Sequence, residues 1–215
     1  MGSVTVTQTV TLDQLVAWMA GFRDAVHREC TYLTELDSAI GDADHGTNLT
    51  RGMDAVMVAL EAPPGTAQEL LKSIGMTLVG SVGGASGPLY GTFFLRAAAS
   101  VGAVDTVEPA GVVAMLRAGL EGIVARGKAE LGDKTMYDAL SPALDALAAA
   151  VESGDDLAAG LRSAAEAAAS GRDATAPLLA LKGRASYLGE RSIGHIDPGA
   201  ASATLLLESL ADAAG

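Results

Sequence analysis

Apolar residues recur every three or four positions along most of the 215-residue chain, the spacing of one buried helical face. Leu12, Leu15, Val16, Met19, Phe22 and Val26 set the first run, and Tyr32, Leu33 and Leu36 continue it. The glycines and polar residues of 40–46 interrupt the pattern. A second helix is expected from Thr47 through Leu60, followed by a turn at Ala62-Pro63-Pro64-Gly65-Thr66. Thr66 then opens a third helix through Leu78, with Glu69 spaced for a capping box. The same periodicity predicts helices over 89–101, 109–128, 135–152, 155–170 and 174–181. Asp155-Asp156 stands as the cap of the Ala-rich one. Pro198, at a first helical position, starts the last. The reading is all-α, with seven or eight helices and almost no strand. Residues 1–11 form a short Thr/Val-rich arm. Residues 12–215 form one domain, since no linker is long enough to divide them.

Composition supports the helical reading. The chain holds 42 Ala against 21 Val plus Ile, and aromatics make up 4%. Ala favours helix, whereas a sandwich or barrel of strands needs β-branched and aromatic residues. Fourteen Lys+Arg against 26 Asp+Glu give a net charge of −12, so a positive surface for nucleic acid or an anionic membrane is not expected. Hydrophobic residues reach 49% but are interrupted too often for a membrane span. Cys30 is the only cysteine, which excludes an internal disulfide and a thiolate metal cluster. No secretory leader is legible, and a cytoplasmic location is expected. Trp18, Phe22, Phe93 and Phe94 read as core, as do Met53, Met57, Met76 and Met115. His27 and Cys30 read as structural.

Three clusters depart from a plain helical bundle. Asp37, Asp42 and Asp44 crowd three carboxylates around a glycine-bounded loop. Such acids repel one another unless a cation neutralises them, and Mg²⁺ takes oxygen ligands of this kind. The alternative is two helix caps and a solvated charge. In Gly83-Gly84-Ala85-Ser86-Gly87-Pro88-Leu89-Tyr90-Gly91, glycines give backbone N–H groups close access to phosphate at a helix start. The alternative is close helix packing. Lys182, Arg184 and Arg191 place three of the 14 basic residues within ten positions, followed by His195. Arginine suits phosphate and the charge of phosphoryl transfer, though a lone surface Arg more often pairs with an exposed acid.

These clusters, with Gly132-Asp133-Lys134-Thr135-Met136 and Asp197-Pro198-Gly199-Ala200, stand in the order of the motifs of the dihydroxyacetone kinase L-subunit (DhaL-type) family, which the chain resembles over about residues 37 to 200. The resemblance implies an eight-helix antiparallel barrel of amphipathic helices with ADP or ATP at one end. It implies two Mg²⁺ ions on Asp37, Asp42 and Asp44. It places His45, Gly46, Thr47, Asn48, Ala85, Ser86, Gly127, Met136, Arg184, Asp197, Pro198 and Gly199 around the nucleotide, with Arg184 also on the transferred charge. It implies a separate K subunit that holds dihydroxyacetone on its own histidine. A free-standing L chain resembles the phosphotransferase-system form, in which a phosphohistidine M subunit rephosphorylates bound ADP in place. A homodimer is a further possible assembly. The family commonly has Gly where Ala43 stands; a Cβ there is tolerable at negative φ and costly in the left-handed region. The competing readings are an ATP-dependent kinase subunit acting on another small keto-sugar or polyol, a nucleotide-loaded regulatory docking module, and a structural bundle without chemistry.

Overall fold

The computed structural model describes residues 9–215; the first eight positions of the expected arm lie outside the described residues. Val10–Thr11 (β1) pairs antiparallel with Thr106–Val107 (β2). Thr11 then caps α1 (Leu12–Arg28) through a reciprocal box with Gln14. A kink at Glu29 divides the first long run, and α2 (Cys30–Ile40) continues it. α3 (His45–Ala59), α4 (Ala67–Ser81), α5 (Ser86–Val101), α6 (Pro109–Gly127), α7 (Met136–Glu152) and α8 (Leu157–Ala174) follow. A 3₁₀ segment (Arg184–Ser192), interrupted at Gly189, leads to α9 (Pro198–Ala214).

Eight of these helices close a ring. α1 packs on α3, and α3 through α9 each pack on the next in sequence; α9 returns to α1. α2 lies outside the ring against α3 and α9. Aromatic side chains from opposite staves meet inside it. The Trp18 and Phe94 rings lie 5.5 Å apart and those of Phe22 and Tyr90 lie 6.1 Å apart. The indole N–H of Trp18 donates to the Leu206 carbonyl at 2.8 Å. This plug fills the ring and leaves one end open. α4 and α5 approach closely because Gly75 and Gly91 face each other; a Cβ on either would stand about 3 Å from the other's carbonyl oxygen.

Four local expectations change. Residues 175–178 form turns and a bend and 179–181 have no regular structure, with the carbonyls of Thr175 and Ala176 taken by Lys134 Nζ. Thr66 accepts the Glu69 N–H at 3.3 Å, but its hydroxyl, rather than its backbone, engages the Glu69 carboxylate. Asp156 stands at the start of α8 without a side-chain capping bond. Met76 is exposed on α4, not a core filler, while Met53 and Met115 are buried. His27 bonds Asp54 at 2.7 Å on the surface, a structural pairing. No described helix is long and apolar enough to cross a membrane.

Candidate functional site: an acid cluster facing four helix starts

The open end of the ring holds a cavity of about 390 Å³. The amino ends of α3, α5, α7 and α9 all reach its wall, through His45, Ser86, Met136 and Pro198. Each helix start carries a partial positive charge, so four of them converge on one space. The carboxyl end of α2 reaches the same wall at Asp37 and Ile40, and that of α6 at Arg126 and Gly127.

Asp37 lies in the last turn of α2 and is buried. Its Oδ2 accepts the backbone N–H groups of Asp44 at 2.9 Å and His45 at 3.1 Å, which ties the loop to the helix start. Gly41 must lack a side chain, since a Cβ there would overlap the Asp37 carboxylate. Asp37, Asp42 and Asp44 each bring an oxygen within 4.8 Å of the others. Three hard oxygen donors so placed fit a divalent cation such as Mg²⁺. Arg184 reaches across from the 3₁₀ segment to Asp42 at 3.0 Å and supplies positive charge to the cluster. Ala43 sits at φ 61°, in the left-handed region where its Cβ is strained.

The glycine-rich stretch divides between two jobs. Gly83, Gly84, Ala85 and Ser86 line the cavity. Gly87 and Gly91 serve packing, because a Cβ on Gly87 would overlap the Val82 carbonyl and Gly91 faces Gly75. Asn48 lies behind this wall rather than in it. Its side chain abuts Gly83 and accepts from Arg51 at 2.7 Å. Gly46 abuts the Cys30 carbonyl, and the Thr47 hydroxyl donates to the Asp44 carbonyl at 3.0 Å. So Gly46, Thr47 and Asn48 shape the start of α3 without lining the cavity. Among the other candidates, His45, Ala85, Ser86, Gly127, Met136, Arg184, Asp197, Pro198 and Gly199 do line it.

Asp197 caps α9 by accepting the Ala200 N–H at 2.7 Å. Burial pushes its carboxyl up to about 7, helped by the charge of Asp138 and opposed by the Ala200 bond and by Lys134. His45 is buried, and burial holds its imidazole below the usual histidine range despite Asp37 and Asp44. Periodicity gave no sign of Lys134, which is 1% exposed at φ 62°. Its Nζ donates to the carbonyls of Thr175 at 2.7 Å, Ala176 at 3.3 Å and His195. Burial lowers its pKa, while Asp197 and Asp138 oppose that shift. Asp138 closes the same loop, accepting from Gly132 at 2.5 Å and Thr135 at 2.8 Å. The only sequence signal for Lys134 was its place between a glycine turn and a threonine cap. Leu89 of the glycine-rich stretch, with Ile123 and Ala129 that no motif marks, adds an apolar side to the cavity.

The model of the DAK2 domain family matches residues 39–212. The chain is 46% identical over 205 residues to the ADP-binding subunit DhaL of the PEP-dependent dihydroxyacetone kinase of Escherichia coli, covering 94% of this chain and 96% of that one. It is 35% identical over 211 residues to the human triokinase/FMN cyclase, covering 97% of this chain and 35% of that protein. The crystal structure of the dihydroxyacetone kinase from C. freundii in complex with AMP-PNP and Mg²⁺ superposes with a TM-score of 0.71 at 28% identity, over 99% of this chain and 36% of that one.

Proposed function

The chain belongs to the DAK2-domain family as an L-type subunit of dihydroxyacetone kinase, a phosphotransferase, and on that footing we propose that it holds ADP or ATP with two Mg²⁺ ions and passes the γ-phosphoryl group to dihydroxyacetone on a separate K subunit. The observation that carries the reading is the meeting of three carboxylates, each with an oxygen within 4.8 Å of the others, with four helix starts around one cavity. Phosphoryl transfer asks for positioning and charge neutralisation more than for a protein nucleophile. In this reading Asp37, Asp42 and Asp44 hold the cations. Bound magnesium supplies charge neutralisation to the phosphate oxygens. The N–H groups at the start of α5 hold phosphate oxygens. Leu89, Ile123 and Met136 offer apolar contact to the base, and Asp197 and Gly199 flank it. Arg184, which pairs with Asp42, also lies on the cavity wall and is the side chain to meet the transferred charge.

The donor is the phosphotransferase system. A phosphohistidine M subunit rephosphorylates ADP without its leaving the cavity, in the cytoplasm. The higher identity to the E. coli subunit, 46% against 35% for the human triokinase, favours this form over a kinase with exchangeable ATP and another keto-sugar or polyol substrate. The test begins with the chain purified without added nucleotide, denatured, and its supernatant chromatographed. One ADP per chain is expected; an empty site that exchanges ATP freely would support the other kinase form. Asp42→Asn is expected to lose magnesium-dependent nucleotide retention with its helical circular dichroism intact. Full retention would remove Asp42 from the cation site. Phosphorylation of dihydroxyacetone is expected only with an added K-type subunit, and turnover by this chain alone would contradict the division of labour.

A further inference from the structure

Beneath the cavity runs a buried polar chain that joins α5, α9 and α3. Tyr90 Oη lies 2.7 Å from Ser202 Oγ, Ser202 Oγ lies 2.9 Å from His45 Nε2, and His45 Nδ1 lies 3.1 Å from Ser86 Oγ. Ser202 Oγ also lies 3.1 Å from the Gly199 carbonyl. Ser202 is fully buried, and Tyr90 is nearly so. Of these groups, only Ser86 and His45 reach the cavity wall together with Gly199.

If all four contacts are made together, counting protons gives each a direction. A carbonyl can only accept, so the one hydroxyl proton of Ser202 goes to Gly199. Both remaining lone pairs of Ser202 must then receive protons, one from the Tyr90 hydroxyl and one from His45 Nε2. The imidazole is held with its proton on the inward nitrogen. In the neutral ring, Nδ1 is left as an acceptor, and the Ser86 hydroxyl spends its proton there. The reverse sense, with Ser202 donating to Nε2, gives up the Ser202–Gly199 contact, so only the first sense makes all four contacts at once.

We propose that Ser202, anchored by the Gly199 carbonyl, is the positioning residue that fixes the His45 tautomer and thereby presents Ser86 to the cavity as a hydrogen-bond acceptor. Ser86 then meets a donor on the ligand, such as a hydroxyl, an amino group or a cation-bound water. Its backbone N–H, not its side chain, is what faces a phosphate. The tautomer is a property of the chain by itself. Only its effect on the ligand rests on the nucleotide reading above.

The test is long-range proton–nitrogen correlation NMR of the ¹⁵N-histidine-labelled, nucleotide-stripped chain at neutral pH. His45 is expected to show Nε2 protonated and Nδ1 bare in the wild type. Tyr90→Phe is expected to keep that pattern, because Ser202 still has Gly199 and still needs the His45 proton. Ser202→Ala is expected to admit the Nδ1-protonated form, and to weaken Mg·ADP binding about tenfold. A protonated Nδ1 in the wild type overturns the proposal, and so does an unchanged tautomer in Ser202→Ala. Should Ser202→Ala not fold, the wild type and Tyr90→Phe still decide the matter, since a tautomer change in Tyr90→Phe would place control at the tyrosine. Absence of Mg·ADP binding by the wild type would overturn the nucleotide reading while leaving the tautomer result standing.

Discussion

At single positions, the chain departs from local preference where the site is built. Ala43 occupies φ 61° between two acids of the cluster. Glycine would take that conformation without the Cβ clash, so Ala43→Gly is expected to stabilise the chain by about 0.5–1 kcal/mol in urea unfolding. A loss of stability would mean that the loop relaxes around Ala43. Asp197 supplies a pH dependence. Its folded pKa lies above the ordinary carboxylate value, so the stability it contributes is complete at acid pH and is lost as pH rises through about 7. Asn keeps the cap on Ala200 but not the charge. Asp197→Asn should therefore raise the melting temperature of the stripped chain more at pH 8 than at pH 5, on the order of 2 kcal/mol in differential stability. Equal gains at both pH values would show that Asp197 titrates normally. The acids were legible in the sequence because Asp37, Asp42 and Asp44 are close along the chain. The link between Ser202 and Tyr90 and the site was not, because Ser202 meets His45 across 157 positions and Tyr90 meets Ser202 across 112.

At the level of the elements, caps and glycines explain more than propensity does. Thr11 and Thr135 announce α1 and α7 by their capping boxes, and Pro198 announces α9, so these starts could be read directly. Residues 175–181 could not be read. Their apolar spacing suits a helix, but Lys134, some 40 positions earlier, takes the carbonyls that the helix would need. A lysine in a sequence looks like surface; here three backbone oxygens from two later segments replace its water. Lys134→Met should leave those oxygens unpaired and destabilise the chain by at least about 2 kcal/mol. Amide hydrogen exchange is expected to speed up first in 175–197. Uniform acceleration along the chain would mean that Lys134 holds no local structure. Gly75 was read only as part of a helix; its partner Gly91 lies in the next one. Gly75→Ala should push α4 from α5 and cost about 1–3 kcal/mol in the same denaturation experiment.

For the molecule as a whole, the ring makes every stave part of one transition. Trp18 and Phe22 of α1 meet Phe94 and Tyr90 of α5 across it, so these two staves are held to each other as well as to their neighbours. The cavity is walled by starts and ends of helices drawn from the entire chain, from Asp37 to Gly199. A ligand that binds there holds distant segments together. Mg·ADP at a hundredfold excess over its Kd should stabilise the fold by about 3 kcal/mol, read as a rise in Tm. ADP with chelator, or magnesium alone, should produce a much smaller rise. An equal rise with ADP alone would show that the acid cluster takes no part in binding.

That last contrast follows from how the staves are wound. Staves that run up and down set positive starts and a negative end around a single mouth, here α3, α5, α7 and α9 with α6, and α2 brings a second negative end from outside the ring. A guest of one sign finds friend and foe in turn. A guest that carries both signs can set each against its opposite. The opening thus presents a pattern of charge rather than a total, and its positive starts offer an anion local attraction on a protein of net charge −12.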